Sequence, residues 1–453
     1  MNYFKLGCNW GTGNPDFFEV LQKYSIVICA EHDMKPNDIV AITQGYNVVA
    51  LACIESERFP VTNRADLRDV FSAYNIDYKD WNHIASATIW TLSPDEQFQY
   101  QLRQGICQIL NRDILAIINQ LLRNKSYLMK LEINKAFLLG NYNLILTGAP
   151  GTGKTYLAKQ IAAQMILGKE FDGKSNEDKK KMNEQCGFVQ FHPSYDYTDF
   201  IEGLRPIDDG AGNVSFRRED GIFMKFCRKA LVAYKNADDK KTAPKYVFII
   251  DEINRGELSK IFGELFFSID PEYRGEAGKG KTQYCNMWKE KDYFEGSDAF
   301  FIPKNVYIIG TMNDIDRSVE SMDFAMRRRF AFKEILASDT METIIKSNTM
   351  LIDAYSQIED RMKNLNLCIL TIQGFSSAYQ IGAAYFRKLA NFLDGNQLSN
   401  KSWGNLWNNH LHGLLFEYLR GLPNADEELQ KLYRAYSLEE KYKLEEGKVV
   451  KDE

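Results

Sequence analysis

The residues with the plainest chemistry are Gly148-Ala149-Pro150-Gly151-Thr152-Gly153-Lys154-Thr155, which fit the spacing Gly-x-x-x-x-Gly-Lys-[Ser/Thr]. Glycines at that spacing let the main chain wrap a phosphate group with its N–H groups turned inward. The lysine then reaches the outer phosphates, and the threonine hydroxyl is a ligand for Mg²⁺. The spacing carries weight only between a strand and a helix. Leu144-Ile145-Leu146-Thr147 before it is an apolar run of strand length, and a helix is expected from Tyr156 to Leu167 after it. The start of that helix favours negative charge, and Tyr156 is counted with the loop as nucleotide-binding. A chance glycine-rich turn would need neither flank.

Three further clusters follow apolar runs of the same kind. Asp251-Glu252 ends the run Tyr246-Val247-Phe248-Ile249-Ile250. Beside a phosphate-binding loop, Asp251 is expected to hold Mg²⁺, directly or through water, and Glu252 to polarise the attacking water. The bland alternative is a pair of solvated turn carboxylates. Gly310-Thr311-Met312-Asn313 ends the run Val306-Tyr307-Ile308-Ile309, and Asn313 is the candidate to touch the γ-phosphate or the water, set against a helix cap. Arg327-Arg328-Arg329-Phe330 offers three guanidiniums, at least one of which is expected to be catalytic, acting on a neighbouring subunit's nucleotide; the alternative is a surface basic cluster or structural ion pairs.

These clusters need a scaffold that brings strand ends together. Residues 139–335 alternate strand and helix signals, and their near-continuous apolar strands predict an α/β parallel sheet covered on both faces. Gly187 to Phe191 reads as a further strand, and residues 169–186 and 274–298 as surface insertions. Residues 336–453 are expected to form a helical lid with a charged, disordered tail from Glu439 onward. Residues 93–138 read as a helical connector, with Leu102, Ile106, Leu110, Ile114, Ile117 and Leu121 at helical spacing and Ser93-Pro94-Asp95-Glu96 as its start. Residues 1–92 read as a small β-rich unit. It has strands at 3–8, 25–30, 39–42 and 48–54, the last two a hairpin, and a short helix over 17–23 capped by Asn14. Trp81 and Trp90 lie in or near its last strands.

The 453 residues allow two to four domains, and 45% hydrophobic residues suffice for sizeable cores. A net charge of −5 argues against a surface covered in phosphate-binding charge, but leaves room for a local basic groove. The eight cysteines include no Cys-x-x-Cys pair, so buried thiols in a cytoplasmic protein are expected in place of disulfides or zinc. His410-Leu411-His412 reads as helix surface or core. No membrane span or signal peptide is apparent.

Taken together, the clusters resemble the AAA+ superfamily, in particular its McrB branch, the nucleotide-driven motors of modification-dependent (type IV) restriction systems. The resemblance covers residues 139–420. It rests on the stretch from Phe191 to Pro206, on Asp251 to Glu264 (similar to an extended Walker B segment), on Thr311 to Ser318 (a sensor loop), on Met326 to Phe330 and on Ile381 to Phe386 (a lid motif). Two departures stand out. Asp314-Ile315 replaces the branch's Thr-Ala, adding charge near the γ-phosphate, and Ala383-Ala384 stands where His-Ser is common. Membership implies a hexameric ring with nucleotide between subunits, Mg²⁺ with GTP or ATP, a separate McrC-like nuclease subunit, and a role in defence against phage. No nuclease constellation is apparent in this chain.

Residues 1–92 resemble PUA-like domains of the EVE/YTH kind, which take a flipped modified base into an aromatic pocket; Trp10, Trp81 and Trp90 are the cage candidates, set against simple core residues. The leading expectation is thus an NTP-hydrolysing restriction motor that reads modified DNA. The alternatives are a chaperone-type remodelling ATPase on the same engine, and a slow nucleotide-dependent switch, for which Asp314 is the support.

Overall fold

The computed structural model describes the chain outside residues 1, 9–16, 31, 68–69, 71–81, 103–104, 209–213, 290–293, 295, 316–323, 396, 446 and 453, with backbone alone at 123–130 and 132–133. It divides into two compact units, Met1–Lys130 and Leu131–Glu453.

The first unit is built on one sheet. Its strands are β1 (Tyr3–Gly7), β2 (Ile26–Ile28), β3 (Ile39–Gln44), β4 (Asn47–Ile54), β5 (Phe59–Pro60), β6 (His83–Thr91), β7 (Phe98–Gln99) and β8 (Ile106–Gln108). The order is β2-β6-β4-β3-β1-β8, with β5 on β6 and β7 on β4. Among the described strands, only the β1–β3 pair is parallel. Successive side chains of a strand point to opposite faces. Accordingly Val40 and Ile42 pack with Leu6, Ile26 and Ile28, while Ile39 and Ala41 pack with Leu51, Ile118 and Leu121. The expected hairpin is present as β3–β4, and the short helix runs Phe18–Tyr24. Asn14, its expected cap, lies outside the described residues.

The described residues of 93–111 are not in a helix, contrary to the connector expected there. Ser93 does bond Glu96 as a helix start would, through N at 2.9 Å and Oγ at 3.0 Å. The chain then makes one turn and enters β7. Further on, β8 covers the exposed edge of β1, where Ile106 pairs with Leu6. The helix begins only at Arg112 and runs to Asn141. Its cap is Asn111, whose Oδ1 accepts from the N–H of Asp113 at 2.9 Å and of Ile114 at 3.1 Å. Leu110, read as part of a helical stripe, is 75% exposed.

The second unit holds a five-stranded sheet and a helical lid. Its strands are β9 (Asn143–Thr147), β10 (Cys186–Gln190), β11 (Glu202–Asp208), β12 (Val214–Asp220), β13 (Tyr246–Asp251), β14 (Val306–Thr311), β15 (Ala331–Glu334), β16 (Lys441–Glu445) and β17 (Lys448–Asp452). The order β10-β13-β14-β9-β15 is parallel throughout. Parallel neighbours require crossovers, which helices supply on both faces. β14 is buried along its whole length and β13 at every residue but Asp251. Phe200 and Phe223 stack at 4.8 Å, and Phe248 and Phe262 meet them edge-on, closing one side of the sheet. Fully burying each such ring contributes roughly 1.5–3 kcal/mol. β11 and β12 form a separate hairpin. The lid packs Ile345, Met362, Leu365, Phe386, Trp403 and Trp407 into its own core.

The charged tail is folded, contrary to the disorder expected of it. β16 and β17 pair in antiparallel register, and the N–H of Tyr442 donates to Asn364 Oδ1 at 2.7 Å. Asn364 Nδ2 in turn donates to the Glu440 carbonyl at 2.7 Å, so one buried amide of the lid fixes where the hairpin begins.

Candidate nucleotide site

The glycine-rich loop leaves β9 at its carboxyl end and enters the helix Lys154–Ile166. Gly151 has φ 76°, and a Cβ there would lie 2.7 Å from the Tyr385 ring. The helix has Gly153 as its N-cap and no side-chain capping bond. Its first N–H groups are thus not answered by a cap and face a loop shaped for an anion. Lys154 is 7% exposed, and its Nζ donates to the carbonyls of Gly148 at 3.0 Å and Ala149 at 2.8 Å. The ammonium therefore lies folded along the loop it would leave for a phosphate.

Asp251, at the end of β13, joins three elements. Its Oδ1 accepts from Thr155 Oγ1 and from Thr311 Oγ1, both at 2.6 Å. Hydrogen bonds to a charged group are worth roughly 1.5–3 kcal/mol each, so this pair fixes the threonine hydroxyl beside the carboxylate. Thr311 was not singled out from the sequence. The signal was available in register: Ile250 pairs with Gly310, which sets the next residue of β14 beside Asp251.

Glu252 has φ 52°, a left-handed conformation that costs about 1–2 kcal/mol for a residue with a side chain. Three bonds offset it. Its N–H donates to Thr311 Oγ1 at 3.3 Å, Asn313 Nδ2 donates to its Oε1 at 2.9 Å, and Arg255 Nε faces its Oε2 at 3.2 Å. The sequence-predicted Glu252 and Asn313 thus meet directly. Arg255 lies inside the Asp251–Glu264 stretch with no role expected of it; its place three residues after Glu252 on a tight turn is the signal for it.

Asp314 stands beside the loop. Desolvation pushes its carboxyl up from the ordinary aspartate range, while Lys154 and the Gly148 N–H pull it down. The lid reaches the loop through main chain and one hydroxyl: Gly382 N donates to the Pro150 carbonyl and Ala384 N to the Gly151 carbonyl, each at 3.0 Å, and Thr340 Oγ1 donates to the Thr152 carbonyl. A Cβ at Gly382 would lie 2.0 Å from Gly151 C.

The three arginines separate. Arg327 and Arg328 are exposed, with Arg327 over the Phe332 ring at 5.3 Å. Arg329 is buried, forms an ion pair with Asp270 at 3.2 Å and lies over Phe266 at 4.2 Å. In the first unit, Trp90 is half-buried on β6 opposite Leu51 and packs on the cluster that contains Ile118. Trp10 and Trp81 lie outside the described residues. No disulfide joins any of the eight cysteines. His410 faces Lys388 Nζ at 3.2 Å and His412 stacks on Phe416. No group of three or more His, Cys, Asp and Glu among the described residues could hold a metal by itself. No helix among them is long and apolar enough to cross a membrane.

Comparison with known proteins agrees with this geometry. Residues 143–330 match the AAA domain of the dynein-related subfamily. The chain is 42% identical over 193 residues to the type IV methyl-directed restriction enzyme EcoKMcrB subunit of Escherichia coli K12, covering 43% of this chain and 35% of that protein. It is 27% identical over 214 residues to the type II restriction enzyme BsuMI component YdiS of Bacillus subtilis 168, covering 42% of this chain and 56% of that one. It thus spans about a third and just over half of these two relatives. Among solved structures, NtrX from Brucella abortus aligns with 11% identity over 72% of each chain, but at a TM-score of 0.31, too low to carry an argument. The second unit thus contains a segment that matches an AAA domain and is similar in sequence to the McrB subunit, and a β-rich sheet precedes it.

Proposed function

We propose that this chain is the nucleoside-triphosphate-hydrolysing motor of a McrBC-like restriction system. The observation that carries the reading is the meeting of Thr155, Asp251 and Thr311 at 2.6 Å, with the Glu252–Asn313 pair next to them at the mouth of the glycine-rich loop. The donors fit Mg²⁺, a hard cation that takes oxygen ligands and keeps several waters. Thr155 and Asp251 would hold it, with the remaining positions left to phosphate oxygens and water, and when bound it neutralises charge on the β- and γ-phosphates. Lys154 would leave the Gly148 and Ala149 carbonyls for those phosphates. Glu252 would take a proton from the attacking water, whose oxygen bonds to the γ-phosphorus as the bond to the bridging oxygen breaks. Asn313 would hold Glu252 and the water in line. Residues that contact phosphate are blind to the base, so ATP and GTP both fit.

Exposure of Arg327 and Arg328 supports a finger that acts across a ring interface, with a hexamer as the proposed assembly. The relatives are a subunit and a component of restriction enzymes, which supports a McrC-like nuclease as partner. The N-terminal unit is proposed as the PUA-like reader of modified DNA, with Trp10, Trp81 and Trp90 as its cage candidates. Phosphate release from ATP and from GTP, with DNA and a candidate nuclease subunit added in turn, tests this. GTP- or ATP-dependent turnover raised by the nuclease subunit is the expected result. Turnover indifferent to both additions, with a protein client captured by the N-terminal unit, would mean a remodelling ATPase instead. Asp314 beside Lys154 favours a second reading, a slow switch, which strong partner-stimulated turnover would exclude.

A further inference from the structure

At the amino ends of the parallel strands, away from the glycine-rich loop, the second unit has a half-open cavity of about 650 Å³. Aromatic side chains of Tyr142, Tyr234 and Phe301 form its walls, and Tyr142 is braced by a stacked Tyr307 at 5.1 Å. Arg274 lines it and is 2% exposed.

The guanidinium is only partly answered. Nη2 donates to Asn143 Oδ1, and the group lies 5.5 Å from the Tyr142 ring centroid. Nε and Nη1 are buried with no hydrogen-bond partner. Asn143 is fully engaged, its Nδ2 donating to the carbonyls of Ile269 and Arg329 at 2.8 Å each. Among the described residues no carboxylate bonds to it: Asp270, whose charge acts on it without contact, pairs with Arg329 at 3.2 Å, Glu276 pairs with Lys279 at 3.1 Å, and Glu272 shares the lining. Burial pushes the arginine down to about 10, which leaves it charged at neutral pH.

The same domain shows what a completed buried charge looks like. Glu202, with no exposed surface, accepts from Arg218 Nε at 2.7 Å, Trp288 Nε1 at 2.8 Å and Tyr284 N at 2.9 Å. A buried charge without such partners is costly to keep. Arg274 therefore has the donors, the space and the positive charge for a missing anion. Three lysines and two glutamates complete the charged lining, so with Arg274 the cavity carries net positive charge.

We propose that this cavity binds a small organic oxyanion, a phosphate or carboxylate on an aromatic body, whose charge draws the Arg274 guanidinium, sealed without it, to turn its Nε–H and Nη1–H toward the ligand while the ligand's ring lies against Tyr142 and Phe301. Exposed Lys304 at the rim adds long-range attraction.

The test is calorimetric titration of the full chain with phenyl phosphate, benzoate and inorganic phosphate. A Lys154→Ala background keeps the glycine-rich loop from competing. Saturable binding of an aromatic probe is expected, with inorganic phosphate at least about tenfold weaker because it lacks the ring. Tighter phenyl phosphate identifies a phosphate ligand, and tighter benzoate a carboxylate. Arg274→Gln should weaken the better probe about tenfold or more, and Lys304→Glu about threefold. Should Arg274→Gln fail to fold, the rim variant decides. No saturable binding of any probe, or an affinity that Lys304→Glu leaves unchanged, overturns the proposal.

Discussion

At the carboxyl end of the five-stranded sheet, Asp251 receives two hydroxyls at 2.6 Å and Glu252 an amide at 2.9 Å; at the amino end, Arg274 keeps two buried nitrogens without a partner. Both ends are served by β9, which begins at Asn143 and runs into the glycine-rich loop. The carboxyl end gathers residues from three adjacent strand ends, so its charges answer one another before any ligand arrives. The amino end is assembled from insertions between strands, and its charge awaits an outside partner. Preorganisation of the first kind suits chemistry, where groups must already be in line. The second kind suits capture, where the ligand supplies the missing half.

Perturbing each end should move different measurements. The largest effect is expected from Glu252→Gln, which keeps nucleotide binding and lowers turnover roughly a thousandfold, within the range for loss of a general base. Single-turnover phosphate release measures this, and turnover equal to wild type would remove Glu252 from the proposed role. Next, Lys154→Ala should weaken nucleotide binding about a hundredfold, from loss of charge-assisted bonds worth about 2–3 kcal/mol. Equilibrium binding of a fluorescent nucleotide reads it, and unchanged affinity would mean that the ammonium stays on the loop carbonyls.

Arg329→Ala removes a buried partner of Asp270 and should cost about 2–3 kcal/mol in urea unfolding. Arg327→Ala and Arg328→Ala should cost about 0.5 kcal/mol or less there. If one of the two is the finger, its turnover defect should recover when the variant is mixed with Glu252→Gln subunits that keep the arginine. Equal destabilisation by all three, with no recovery on mixing, would erase the distinction drawn between them. The smallest effect is expected from Asp314→Asn. A raised carboxyl is ionised less readily in the folded chain than in the unfolded one, so the penalty is complete above the folded value and fades as pH falls through the aspartate range. Asp314→Asn should therefore raise the nucleotide-free Tm slightly at pH 7, with the gain shrinking toward pH 3–4, near the ordinary aspartate value of about 3.9. A Tm that falls at pH 7 would show the carboxylate to be held by Lys154 and Gly148 more strongly than desolvation opposes it.

What could be read from the sequence follows from how local each feature is. The loop, Asp251, Glu252 and Asn313 each sit at the end of an apolar run, and strand ends of a parallel sheet meet at one edge. Thr311 needed the register of β13 against β14. Arg274 needed a pairing with Asn143, 131 residues away. β8 looked helical because three apolar residues four apart fit a helix as well as a strand edge, and only the unpaired side of β1 decides between them. The C-terminal hairpin was hidden by its charge. Its exposed pairs, such as Lys443 with Asp452 at 2.9 Å, contribute little, and what seats it is the Asn364 amide in the distant lid.

The two main-chain bonds from Gly382 and Ala384 to Pro150 and Gly151 have a mechanical consequence. They join lid and loop backbone to backbone, with the Thr340 hydroxyl on the Thr152 carbonyl beside them, so in the proposed ring a torque applied to the lid by an adjacent subunit would load the main chain of the glycine-rich loop directly. Side-chain substitutions in the lid away from Thr340 would leave that linkage stiff. Only a change that pries the two backbones apart, such as a methyl group at Gly382, would let the lid turn idle.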